Sequence, residues 1–182
     1  MIPVEYLWLA LIIVFGITGI VRGLWKELGV TTILLLSLFV LTFGWDKIGS
    51  KIVGSFPGSL PTGTIMALYY IVPTIFVAFI AYEGITLTFP IKEVKGLLKA
   101  MLGLPGGLLN GYLIVGTVWD VVNRADYFGL KVPYGSSGAT VAVSASLTSL
   151  NDALVQFLPV TFINEYVMLL VGMILLVAII LK

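Results

Sequence analysis

The stretch GLLKAMLGLPGGLLNGYLIVGTVWD, Gly96 to Asp120, decides the fold. At about 100° per helical residue, Gly103, Gly107, Asn110, Ile114 and Thr117 fall within a narrow arc with Gly111 at its edge. Met101, Pro105, Leu108, Tyr112 and Trp119 point the opposite way, so one face is small and the other bulky. In water each such glycine weakens a helix by about 1 kcal/mol relative to alanine, whereas in lipid a small-xxx-small ridge lets a neighbouring backbone approach closely. The chemistry this stretch offers is helix assembly, and no reaction can be read from it.

Composition sets the same environment. Hydrophobic residues make up 59% of the 182 residues, charged residues 10%, and the mean hydropathy is +1.12. A soluble chain carries roughly 25% charged residues, so this is an all-α integral membrane protein of one membrane domain, without room for a second folded soluble one. With no histidine and no cysteine, soft metal sites, thiol catalysis, disulfides and imidazole acid–base chemistry drop out. No cofactor and no metal is read from the sequence. The net charge of +1 comes with basic residues at helix ends rather than in a stripe, so no nucleic-acid partner is expected.

About five transmembrane helices and a surface amphipathic helix are predicted. The first apolar run, Pro3 to Val21, lacks the basic start and small-residue cleavage site of a signal peptide. Its Gly16, Gly19 and Gly23 share one face and suit docking on the Gly103 ridge. The second span, about Leu24 to Trp45, follows so closely that the two form a tight antiparallel hairpin, marked by Arg22, Gly23, Lys26 and Glu27. Asp46 to Gly63 is rich in Gly, Ser and Pro and reads as a loop or a shallow surface segment. The third span runs from about Thr64 to Phe89 with Pro73 inside it, and its sole charge is Glu83. An intramembrane carboxylate is a functional-site hypothesis by default, but Glu83 lies about two turns from Pro90, where Arg22, Lys26 or Lys99 can pair with it. Both readings stay open, with the ion-pair anchor preferred. In the fourth span Asn110 is expected to bond across to another helix, and Asp120 and Arg124, four apart, to pair with each other.

Residues 1–122 thus form a four-helix core, and 123–161 an external loop. Within that loop Val143 to Leu158 places Leu147, Leu150, Leu154, Phe157 and Leu158 on one face of a surface helix. Residues 162–182 supply the last span. Basic residues favour the side holding Arg22, Lys26, Lys92, Lys95, Lys99 and Lys182, which predicts an external N-terminus and a cytoplasmic C-terminus.

Two segments carry a family resemblance. Gly19-Ile20-Val21-Arg22-Gly23-Leu24-Trp25-Lys26-Glu27-Leu28 is similar to the first hairpin of the CvpA (colicin V production protein) family, and Gly103 to Val115 resembles its glycine-rich fourth helix. Ser149-Leu150 through Leu158-Pro159 is similar to the polar segment after that helix. The sequence departs from the family pattern at Asn110, where an arginine is usual, and in having a fifth span. The resemblance implies a multi-pass protein of the bacterial plasma membrane linked to colicin V production or export, with no established enzymatic activity.

Three functions compete. A non-enzymatic scaffold or accessory subunit would contact the lipid bilayer and other membrane-protein subunits, or a second copy of itself. Such a subunit could serve a larger respiratory, photosynthetic or secretion complex. A small transporter or proton path would be centred on Glu83. An intramembrane enzyme is disfavoured because Glu83 and Asp120 fall at opposite membrane faces and cannot act as a carboxylate pair.

Overall fold

The computed structural model describes residues 4–56, 58, 60–83, 87, 89, 96–129, 131–133, 141–143 and 154–181. Four of the described helices are long and apolar enough to cross a membrane: α1 (Val4–Arg22), α2 (Leu24–Gly54), α3 (Thr62–Glu83) and α4 (Leu97–Arg124). Two shorter helices follow, α5 (Pro159–Phe162) and α6 (Glu165–Ile180). Outside the spans lie a turn at Asp126–Gly129 and a small parallel ladder, β1 (Lys131–Pro133) with β2 (Val141–Val143).

The α1–α2 reversal turns on one residue. Gly23 adopts φ 86°, ψ 158°, a conformation that side chains disfavour, and so lets α2 start one residue after α1 ends. Helix α2 then continues to Gly54, past the predicted boundary at Trp45. The segment beginning at Asp46, expected as a loop or a shallow surface segment, continues α2 for its first half. Lys47 lies over the Phe43 ring at 5.4 Å, and the sequence has no proline from Asp46 until Pro57, so nothing local ends the helix at the membrane surface. Conversely α3 stops at Glu83 rather than Phe89. The chain beyond crosses α2 so closely that a Cβ at Gly29 would sit 1.7 Å from the Leu87 carbonyl oxygen.

Helix α4 stands at the centre, with α1, α2, α3 and α5 packed around it, while α6 leans on α2. The core runs through Val30, Leu34 and Leu38 of α2, Tyr70 of α3, Leu113 and Val121 of α4 and Met168 of α6. The fifth apolar helix is shorter than the predicted 162–182 span. Its 16 residues cover about 24 Å at 1.5 Å per residue, less than the roughly 30 Å hydrocarbon core. Ile163 and Asn164 break the chain before it, and the Asn164 side chain caps the new helix by accepting from the Tyr166 N–H at 2.9 Å. Of the expected surface helix at Val143–Leu158, residues 144–153 lie outside the described residues.

Candidate functional site

The glycines form not one ridge but three contacts around α4. Toward α1 the backbones touch: a Cβ added at Gly19 would lie 2.3 Å from the Gly103 carbonyl oxygen and 2.7 Å from the Gly107 Cα. One added at Gly107 would lie 2.2 Å from the Phe15 carbonyl oxygen, and one at Gly111 would lie 2.9 Å from that of Ile12. Gly16 instead receives the Leu108 side chain, and Gly23 the methylenes of Lys99. A second face looks at α2, where Gly106 meets the Glu27 Cβ at 2.9 Å. The third contact is Gly116 against Pro159.

Asn110 therefore belongs to the α2 face, and the single arc read from the sequence divides between two neighbours. The bulky side is also less uniform than expected. Trp119 is fully buried and stacks on Trp8 of α1, their ring centroids 6.4 Å apart. The same side is exposed nearer the start of α4, at Met101 and Pro105, so it turns from surface to core along the helix.

At the hairpin end this packing encloses a carboxylate. Glu27, on the first turn of α2, is completely buried. Arg22 Nε donates to its Oε1 at 2.8 Å, while the Tyr82 hydroxyl and Asn110 Nδ2 donate to Oε2 at 2.9 and 2.8 Å. Asn110 Nδ2 also reaches the Glu27 carbonyl at 3.0 Å, and Thr31 Oγ1 donates to Asn110 Oδ1 at 2.7 Å. The Arg22 guanidinium bonds the Tyr82 carbonyl at 3.0 Å and lies 4.6 Å from the centre of that residue's ring. Four helices thus meet on one charge, each supplying a donor or the charge itself. A buried ion pair seldom adds net stability, but breaking it strands a charge and is costly, so the cluster fixes which helices meet and at what depth.

Near the opposite membrane face a second buried acid is also satisfied. Asp120 accepts from Arg124 Nε at 2.9 Å, as its i,i+4 spacing predicts, and from the Thr161 hydroxyl at 2.9 Å. Arg124 Nη2 bonds Thr161 as well, at 2.8 Å, so the pair ties the end of α4 to α5.

Next to it lies a third acid with no such partners. Glu5 is 3% exposed, yet neither carboxylate oxygen makes a hydrogen bond. Three donors beside it are equally unpaired: the indole nitrogens of Trp8 and Trp119 and the Tyr127 hydroxyl. Glu5 and Trp8 share a face of α1 at i,i+3, Trp8 stacks on Trp119, and Tyr127 packs against Trp8. Tyr127 is brought there by Asp126, Tyr127 and Phe128, three consecutive residues at φ 50°, 51° and 59°. Left-handed backbone costs about 1 to 2 kcal/mol per non-glycine residue, and the burial of the Tyr127 ring offsets part of it. Burial pushes the Tyr127 phenol above its ordinary pKa of 10.0; the Glu5 charge raises it further, while the two indole N–H groups oppose the rise.

Of the sequence-predicted residues, the structure brings Arg22, Glu27 and Asn110 into one cluster and lines Gly19, Gly103, Gly107 and Gly111 along one seam. It leaves Lys26 exposed and sets Glu83 as the exposed last residue of α3. The carboxylate that Arg22 holds is Glu27, not Glu83. Sequence reasoning missed the bond of Tyr82 to Glu27 and the whole Glu5 group, and the Tyr127 turn left no local signal.

No family model, no curated protein and no solved structure matches the chain.

Proposed function

We propose that this protein is a non-enzymatic membrane scaffold or accessory subunit, similar in kind to the CvpA proteins, residing in the bacterial plasma membrane with an external N-terminus. The observation that carries this reading is the closed state of the Glu27 cluster. Every donor and acceptor around that deep charge is spent on another helix, which suits a fixed body and leaves no proton acceptor free to turn over. A fixed body leaves its outer helices for contacts. Helix α6 supports that role, since Met168 and Gly172 are its buried residues and the rest of its apolar surface is available to lipid, a neighbouring subunit or a second copy.

Between α2, α4 and α6 lies a cleft of about 560 Å³ walled by Leu35, Leu113, Met168 and Leu175, an apolar setting suited to an acyl chain. The transporter alternative centred on Glu83 loses its motive, because an exposed residue at a helix end is not a deep relay. The test is native mass and subunit composition after extraction in a mild detergent. Stoichiometric foreign subunits or a defined homo-oligomer support the reading; a monomer that moves protons when reconstituted overturns it.

A further inference from the structure

Helix α6 packs on α2 and stands away from α4. A Cβ added at Gly172 would lie 2.9 Å from Leu36 Cδ2 of α2, so the missing side chain sets how closely these two helices meet. The gap left between α6, α2 and α4 is the cleft of about 560 Å³. Its floor is formed by the buried Leu35, Leu113 and Met168, whereas Leu109, Val167 and Val171 at its rim are 41%, 48% and 39% exposed, so it opens sideways toward lipid. The α6 wall runs from Asn164 to Leu175, about 16 Å at 1.5 Å per residue. That is about half of the roughly 30 Å hydrocarbon core, the depth of one leaflet.

We infer that this cleft is a site for one acyl chain of a membrane phospholipid. Three features select that occupant. Spread over about 16 Å, the 560 Å³ gives a mean cross-section of about 35 Å², less than half that of a helix about 10 Å across, so no helix of a second copy or of another subunit fits. The polar groups in the wall serve the chain itself, Thr31 bonding Asn110 and the Asn164 oxygen capping α6, and the rest of the lining is apolar, which suits hydrocarbon rather than a polar guest. No described basic residue lines the cleft to take the carboxylate of a free fatty acid, whereas a phospholipid leaves its charged group at the membrane surface. An empty apolar gap forfeits contacts along its walls, and a chain inserted from the surrounding leaflet restores them. The lipid would thereby join α6 to α4, which it scarcely touches otherwise. The site stands on the fold of one chain, whether or not partner subunits join it.

The test loads the whole delipidated chain, in detergent, with dioleoylphosphatidylglycerol and counts bound lipid by native mass spectrometry. Wild type should retain one phospholipid per chain under activation that strips detergent and loosely held lipid. Val171→Trp and Leu109→Trp each place a large ring at the cleft mouth and should lower that occupancy severalfold; either serves if the other does not fold. Leu170→Trp, on the exposed side of α6 and outside the cleft, should retain lipid as wild type does. Retention equal in wild type and the cleft variants overturns the site, since the lipid would then sit on the outer surface only, and so does an equal loss in Leu170→Trp. The absence of any retained lipid overturns it as well. So does displacement of the phospholipid by oleic acid at equal concentration, which would make the guest a free fatty acid, or a dimer that forms as lipid leaves and is blocked by Val171→Trp, which would make it a second copy.

Discussion

A buried glutamate lies near each end of the α1–α4 pair, Glu5 on α1 itself and Glu27 on the neighbouring α2, and the two are built differently. Glu27 meets Arg22, Tyr82 and Asn110, drawn from α1, α3 and α4, and every polar atom in that group is paired. Glu5 meets two indoles and a phenol, and none of their polar atoms is paired. The first arrangement is a lock formed by the fold for itself. The second is an opening in the polar ledger at the same burial. The glycine seam between them explains how one pair of helices can hold both, because backbone contact at Gly19, Gly103 and Gly107 fixes depth and leaves both ends registered.

The largest effect should come from the seam that both ends depend on. Gly107→Leu drives a side chain into the Phe15 carbonyl and should abolish the monodisperse species on size exclusion, since backbone cannot yield as a side chain can. An intact, wild-type-like particle would show that the seam is not what registers the ends.

Asn110→Ala sharpens the comparison at the locked end alone. It removes a donor to the Glu27 carboxylate, while the Thr31 hydroxyl keeps the Glu27 carbonyl at 2.9 Å, and should lower unfolding stability by about 2 kcal/mol in a reversible detergent assay.

At the open end the Tyr127 phenol gives an alkaline signature. Its folded pKa lies above the unfolded value of 10.0, so its contribution is complete below that value and is lost as pH rises through the folded pKa. Unfolding midpoints of wild type should fall more steeply than those of Tyr127→Phe above pH 10, while the two run parallel at neutral pH. The smallest effect belongs to Gly54→Ala, where an added Cβ meets nothing within 4 Å; it should stay within about 0.5 kcal/mol of wild type.

How much of this was legible in the sequence follows from the range of each interaction. The four spans, the Gly23 turn and the Asp120–Arg124 pair are local and came from spacing. The division of Gly103, Gly107 and Gly111 from Asn110 was not, because a helical wheel shows which residues share an arc but not how many neighbours surround the helix. Glu27 was read as a turn marker while Glu83 drew attention as the lone charge of its span. Depth decides between them, and depth depends on α3 ending at Glu83 while α2 is buried from its first turn. The Glu5 group depends on a stack between residues 8 and 119 and on a left-handed turn made by Asp, Tyr and Phe, none of which favours that backbone as glycine does.

The measurement that tests the contrast most directly is the unfolding midpoint of Glu27→Gln and of Glu5→Gln, side by side, in the same detergent buffer. Glu27→Gln removes the charge to which Arg22, Tyr82 and Asn110 all donate and sets its own amide against one of those donors, and should cost about 3 kcal/mol; Glu5→Gln removes an unpaired buried acid and should leave the midpoint unchanged or raise it. A large loss for Glu5→Gln together with a small one for Glu27→Gln would contradict the account, because the lock and the opening would then be the other way round.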